Sequence, residues 1–362
     1  MRSHNNRAII AAAGSRKTQH IVDQVLADPH QHSLVTTYTT ENLTELRSRL
    51  SIEHGVPPAH VDARGWLTFL LNECARPYQE AVFGEVGLIG SLHFDRDNRR
   101  VPKSDSERYY LDSNKDVYRD KLSDLVCTAN TASGGLVVNR LAGIYDHIYI
   151  DEVQDLAGYD LELLDLLFAS PIAVTLVGDP RQGTYSANDS NRNRRYRRGG
   201  ITDWFKERTD RCFVEEHTTS YRCNQQICDF ADALYPDLPR TLSKNNDLTG
   251  HDGIFYIRPA EVTAYVERYQ PTVLRHSRRT DTQGLTAMNF GQSKGQTFDR
   301  VLIFPTAPMK TYLAKRDPAQ AGDLAKFYVA LTRARHSVAF VAVKPEPRLQ
   351  GASWWSSEPC PP

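Results

Sequence analysis

Residues 11–18 read AAAGSRKT, and this stretch limits what the chain can fold into more than any other. A short apolar run, RAIIAA (7–12), leads into it, and past Lys17 the residues Ile21, Val22, Val25 and Leu26 recur at helical spacing. Strand, tight loop, helix is the arrangement in which backbone N–H groups and a helix N-terminus converge on an anion. The pattern for such loops is G-x-x-x-x-G-K-[ST]. Gly14, Ser15, Lys17 and Thr18 suit it, while Arg16 stands where the glycine before the lysine belongs. Residues Ala13, Gly14, Ser15, Arg16, Lys17 and Thr18 are therefore the expected phosphate-binding set. Lys17 would neutralise the β- and γ-phosphates, and Thr18 would offer its hydroxyl to Mg²⁺.

A second element belongs with the first. IYIDEVQD (148–155) is an apolar strand ending in Asp151 and Glu152. A carboxylate at a buried strand end is placed to hold Mg²⁺, and the neighbouring Glu152 can orient and deprotonate an attacking water. TLVGDPRQGTY (175–185) is another strand-end loop. Its Gln182 can sense the γ-phosphate or the water, and Tyr185 offers a ring of the kind that stacks on unpaired bases.

Strands alternate with helices along the whole chain: SLVTTYT (33–39), HIYI (147–150), AVTLVG (173–178), then 253–257, 272–276, 285–290, 300–305 and 338–343. Helices are expected over 41–50, 160–169, 224–235 and 321–335. Such alternation predicts α/β architecture with parallel sheets covered on both faces. At 362 residues two domains are expected. The first spans 1–215 with a small insertion at about 79–140, the second spans 216–344, and 345–362 is a loosely held tail. Lys+Arg and Asp+Glu balance at 44 each, so bulk charge names no partner. The six cysteines lack zinc-like spacing and read as free thiols of a reducing compartment. MRSHNNRAII has no apolar signal core, and no run of eighteen apolar residues occurs, so the expectation is a cytoplasmic protein with no membrane partner.

Phosphate loop, DEVQD and GDPRQ…Y, in that order, resemble the UvrD/Rep-like helicases of superfamily one. TTYTTENLTEL (36–46) and GWLTFLLNECARPY (65–78) resemble that family's single-strand contact segments, with Thr37, Tyr38 and Thr39 as the contacts. SYRCNQQI (220–227) resembles the motif opening the second domain, QSKGQTFDRV (292–301) its SKG motif, and YVALTRAR (328–335) its final arginine motif. The resemblance implies two RecA-like P-loop NTPase domains, ATP with Mg²⁺ as cofactors, and Gly295 on the nucleotide. Glu152, Gln182, Arg222 and Arg333 would do the chemistry. The two arginines, on the second domain, would reach the γ-phosphate, an effect worth roughly 10³–10⁵ in rate. Ser293, Lys294 and Tyr185 would touch the strand. The partner implied is single-stranded or partly duplex DNA, the movement 3′→5′, and the setting DNA repair or defence against phage.

The chain departs from that pattern in places. Arg16 replaces the loop glycine, and its Cβ would crowd the turn if the position needs a glycine conformation. Thr297 stands where UvrD-like members carry glutamate, as in RecD/Pif1-like enzymes. The large subdomain usually inserted between SYRC and SKG is absent. One addition is NDSNRNRRYRRGG (188–200), where Arg192, Arg194, Arg195, Arg197 and Arg198 with one tyrosine suit phosphate contact and stacking. The alternative function is a hydrolysis-impaired nucleotide- or DNA-sensing subunit, working with a nuclease or other protein partner.

Overall fold

The short apolar runs become inner strands of two six-stranded parallel sheets, as suits segments too hydrophobic to leave either face to water. The computed structural model describes residues 5–52, 55–84, 86–95, 97, 99–184, 190–342 and 352–357. The chain divides into two units: residues up to Ile10 with Lys17–Glu216, and Ala11–Arg16 with the residues from His217 onward.

The first unit contains β1 (Arg7–Ala11), β2 (Ser33–Thr37), β3 (Val61–Gly65), β4 (Leu92–His93), β5 (Val117–Tyr118), β6 (His147–Asp151), β7 (Ala173–Gly178) and β8 (Phe213–His217). Its sheet order is β3-β2-β6-β7-β1-β8, with β4 and β5 paired apart from it. Val177 is in register with Ile9 on one side and Asp151 on the other. The C-terminal ends of β1, β6 and β7 therefore lie side by side, at the edge where ligands gather in open parallel sheets. Ala8, Leu34, Ile148, Ile150, Val174 and Leu176 of the sheet belong to a continuous core. The helix Leu122–Ala132 adds Leu122, Leu125, Val126 and Ala129 to it, so part of the stretch expected as an insertion is built into the main core. Each such fully buried leucine is worth about 1.5–3 kcal/mol.

The second unit contains β9 (Thr219–Ser220), β10 (Leu242–Ser243), β11 (Gly253–Ile257), β12 (Thr272–Arg275), β13 (Met288–Asn289), β14 (Phe298–Phe304), β15 (Ala334–Val341) and β16 (Ala352–Trp354). Its sheet order is β13-β12-β14-β15-β11-β16, every pair parallel. Within the stretch expected as a loose tail, β16 pairs with β11, and Trp355 is buried with its ring 5.1 Å from that of Tyr265. The helix expected over 321–335 ends earlier, at Leu331, and β15 begins at Ala334. Thr332 turns its hydroxyl back to the Tyr328 carbonyl at 2.9 Å and closes the helix there.

The five cysteines among the described residues are free thiols. Among the described residues no helix is long and apolar enough to cross a membrane.

Candidate functional site

In the first unit the helix Lys17–Ala27 starts at the lysine itself, and β6 delivers Asp151 to the same place. Thr18 Oγ1 donates to Asp151 Oδ2 at 2.8 Å. The other carboxylate oxygen accepts from the Glu152 N–H at 2.9 Å. Burial, reinforced by the Glu152 charge, pushes the Asp151 carboxyl up to about 6, against the pull of the Thr18 hydrogen bond and the Lys17 charge. A hydroxyl and a carboxylate in contact beside a lysine form an all-oxygen pair that suits a hard cation. Among the described residues no three His, Cys, Asp or Glu side chains gather to hold a metal alone. Mg²⁺ does not require that, since it is commonly bound by one or two carboxylates plus substrate phosphates. Glu152 takes a left-handed backbone, φ 59°, a strained conformation for a non-glycine residue of the kind that clusters at functional turns.

The GDPRQ turn is fixed from within. Asp179 caps the short helix Pro180–Gln182 by accepting from the Arg181 N–H at 3.1 Å, and it accepts from Gln182 Nε2 at 2.9 Å. Gln182 is buried and held. Tyr185 lies outside the described residues.

The phosphate-loop residues Ala11–Arg16 belong to the second unit. Ser15 Oγ is buried without a hydrogen-bond partner among the described residues, a donor suited to an anion. Gly14, φ +77°, accepts from the Tyr221 N–H at 2.9 Å through its carbonyl. A Cβ on Gly14 would come 2.6 Å from Arg222 Cβ, so only glycine fits. Arg16 also has a left-handed backbone, φ 62°, so the position does take the conformation glycine favours. Its guanidinium lies 4.2 Å from the centre of the Tyr221 ring, within cation–π range.

Three motifs of the second unit meet at Thr332 and Arg333. Arg222 Nη1 donates to its carbonyl at 3.1 Å, and the Cys223 thiol donates to the same oxygen at 3.5 Å. Arg333 is 2% exposed and donates through Nε to the Val329 carbonyl at 3.1 Å and through Nη1 to the Gln296 carbonyl at 3.2 Å. That last bond ties it to the SKG turn, where Gly295 is exposed at φ 85°.

The expected strand contacts divide. Tyr38, Thr39 and Lys294 are half-buried, while Thr37 is buried at the end of β2. Thr39 caps the helix Thr40–Leu50, accepting from the Asn42 N–H at 3.3 Å. Ser293 is fully buried, and its hydroxyl donates to the Phe290 carbonyl at 2.7 Å. In the arginine-rich segment, Arg192 pairs with Glu162 at 2.8 Å and Arg195 with Glu207 at 3.1 Å. Arg197 donates to the Ser190 carbonyl. Arg194 and Arg198 are exposed, with no carboxylate paired to them among the described residues.

Sequence reasoning passed over Gln154. Its amide nitrogen donates to the Glu152 carboxylate, and its oxygen accepts from the Asp179 N–H at 3.1 Å. It thus bolts the DEVQD turn to the GDPRQ turn. Gly178 makes room for it, since a Cβ there would come 2.9 Å from Val153 Cγ1 and press on the Gln154 amide. The signal was present in DEVQD itself, a polar residue inside a turn that the strands on either side bury.

A loop, hydroxyl and strand-end carboxylate on a parallel sheet, followed by a second sheet of the same kind, define a pair of RecA-like domains of the P-loop NTPase class. The model of the viral superfamily 1 RNA helicase core domain matches residues 120–342, more than half of the sequence, and the chain belongs to that family. Curated protein sequences return no significant match. Among solved structures the chain is similar to the helicase of PRRSV, at 18% identity and TM-score 0.45, over 96% of this chain and 54% of that one. It is similar to arterivirus nonstructural protein 10, a helicase, at 14% identity and TM-score 0.47, over 93% of this chain and 59% of that one. A structure of that protein with DNA matches at 14% identity and TM-score 0.48, over 93% and 61%. The chain thus spans between 54% and 61% of the length of these structures.

Proposed function

We propose that this superfamily 1 helicase core is an ATP-driven translocase on single-stranded DNA, of UvrD/Rep-like character and 3′→5′ polarity. The observation that carries the reading is the 2.8 Å contact of Thr18 with Asp151, beside Lys17 and Glu152. Thr18 and Asp151 would hold Mg²⁺, which would draw charge from the phosphate oxygens. Lys17 and the donors of residues 13–16 bind and orient the phosphates. Glu152, steadied by Gln154, takes the proton of the attacking water, Gln182 senses that water, and Arg222 and Arg333 supply positive charge to the phosphoryl group. The motif set supports DNA and 3′→5′ movement, and the exposed Arg194 and Arg198 suit the phosphate backbone. Displacement of streptavidin from end-labelled oligonucleotides tests this. Clearance of a 5′-end block on DNA is expected, whereas clearance only on RNA, or only of 3′-end blocks, would overturn strand type or polarity respectively.

One observation favours a second reading, a nucleotide-sensing subunit impaired in hydrolysis: Arg16 occupies a left-handed position and rests on Tyr221. Left-handed backbone costs an ordinary residue roughly 1–2 kcal/mol. Under the motor reading Arg16→Gly raises thermal stability and leaves turnover within about thirtyfold of the parent, the most that such strain converts to. An inactive parent rescued by Arg16→Gly would establish the sensing subunit instead. Parallel turnover and melting measurements on the two proteins decide it.

A further inference from the structure

Beneath the DEVQD turn lies a carboxylate that the chemistry above does not use. Asp160, the second residue of the helix Tyr159–Phe168, is 1% exposed. Its Oδ1 accepts from Trp66 Nε1 at 2.8 Å and from the Ser123 hydroxyl. Its Oδ2 accepts from the Ala157 N–H at 3.1 Å. Burial raises its carboxyl above the usual range, while all three donors pull the other way.

Those donors come from three separate places. Ala157 closes the turn that starts at Glu152, with only the short helix Val153–Asp155 and Leu156 between them. Trp66 is the second residue of the stretch 65–78, which resembles a single-strand contact segment, and it is itself 1% exposed. Ser123 stands on the helix Leu122–Ala132 in the core. The charge of Asp160 also acts on Tyr38, whose phenol is pushed up to about 12, chiefly by burial. A buried carboxylate is expensive unless its oxygens are satisfied, so its donors are held in fixed positions relative to one another. Moving the Trp66 segment must therefore move Ala157 or break a buried bond.

We propose that Asp160 is a positioning residue that couples occupancy of the single-strand face to the Asp151–Glu152 turn, through Trp66 on one side and Ala157 on the other. The proposal rests on the reading of the chain as an ATP-driven translocase, with turnover stimulated by the bound strand. Allosteric coupling of this kind is typically worth 5–150-fold.

Asp160→Asn is a selective probe. The amide oxygen can still accept from Trp66 and Ser123, but the amide nitrogen then faces the Ala157 N–H, donor against donor, so of these three hydrogen bonds the one to the turn is lost. Expected for Asp160→Asn are strand-free turnover and strand affinity within about twofold of the parent, with stimulation by a single strand reduced about tenfold. Ser123→Ala, which removes a donor from the core side only, should keep its stimulation. Unchanged stimulation in Asp160→Asn would overturn the proposal. So would a loss that Ser123→Ala shares and that tracks melting temperature, since that would be a structural role. A second readout separates this from failure of the motor reading: the affinity of a non-hydrolysable ATP analogue, with and without an oligonucleotide. If the parent shows no turnover, the motor reading falls, but strand-dependent analogue affinity that vanishes in Asp160→Asn still supports the coupling. Strand-independent affinity in the parent would overturn it.

Discussion

Replacing Glu152 by glutamine is expected to lower turnover by about 10²–10⁴-fold while leaving nucleotide affinity nearly unchanged. The amide keeps the volume and one hydrogen-bond acceptor but cannot take a proton. Gln154 holds the Glu152 carboxylate, and the strained φ of 59° fixes the backbone, so the side chain has little freedom to be replaced by another base. Asp151 cannot substitute. Thr18 and the Glu152 N–H already occupy its two carboxylate oxygens. Single-turnover kinetics with protein in excess of nucleotide separate the two effects. A variant that binds weakly but turns over normally would remove Glu152 from the chemistry.

Arg333→Ala is expected to cost about 10³–10⁵ in turnover. The residue is a buried guanidinium held by the Val329 and Gln296 carbonyls, so truncation also removes one donor from each of those oxygens. That loss should appear as a lower melting temperature, because uncovering a buried acceptor costs about 1–3 kcal/mol. Arg333→Lys keeps the charge but not the planar fork. It is expected to regain part of the stability and little of the rate, since the fork sets the geometry of charge delivered to phosphate. Turnover and melting measured on both variants distinguish the roles. Equal, modest losses in rate and stability for both would mean that Arg333 is only a strut between the final motif and the SKG turn.

What the sequence made legible follows from what periodicity and strand-end chemistry record. Asp151 and Thr18 were readable because a strand ending in a carboxylate and a loop ending in Lys-Thr both have local signatures, and the structure puts them 2.8 Å apart. The strand at 253–257 was readable residue for residue, because it is a buried apolar run bounded by glycine and proline. Spacing alone carries the helix over 321–335 past its end at Leu331, because Thr332 and Arg333 carry no breaker. What ends that helix is a side-chain bond to Tyr328 and the start of β15, neither of which spacing reveals. Gln154, Gly178 and Asp160 went unread for a related reason. Most of their partners lie 24 to 94 positions away, as in the Trp66 bond to Asp160, and a single polar letter in a turn gives no sign of its partner. Arg16 is the informative middle case. Its glycine-like position could be suspected from the loop pattern, but only the backbone, φ 62°, shows that the chain accepts that conformation with an arginine in it.

The measurement that bears most directly on this account is steady-state ATP turnover by the parent chain with Mg²⁺, in the presence and absence of single-stranded DNA, with single-stranded RNA alongside. The account predicts turnover that requires Lys17 and Glu152 and rises when single-stranded DNA is added. No turnover under any of these conditions, or turnover indifferent to every strand supplied, would contradict it.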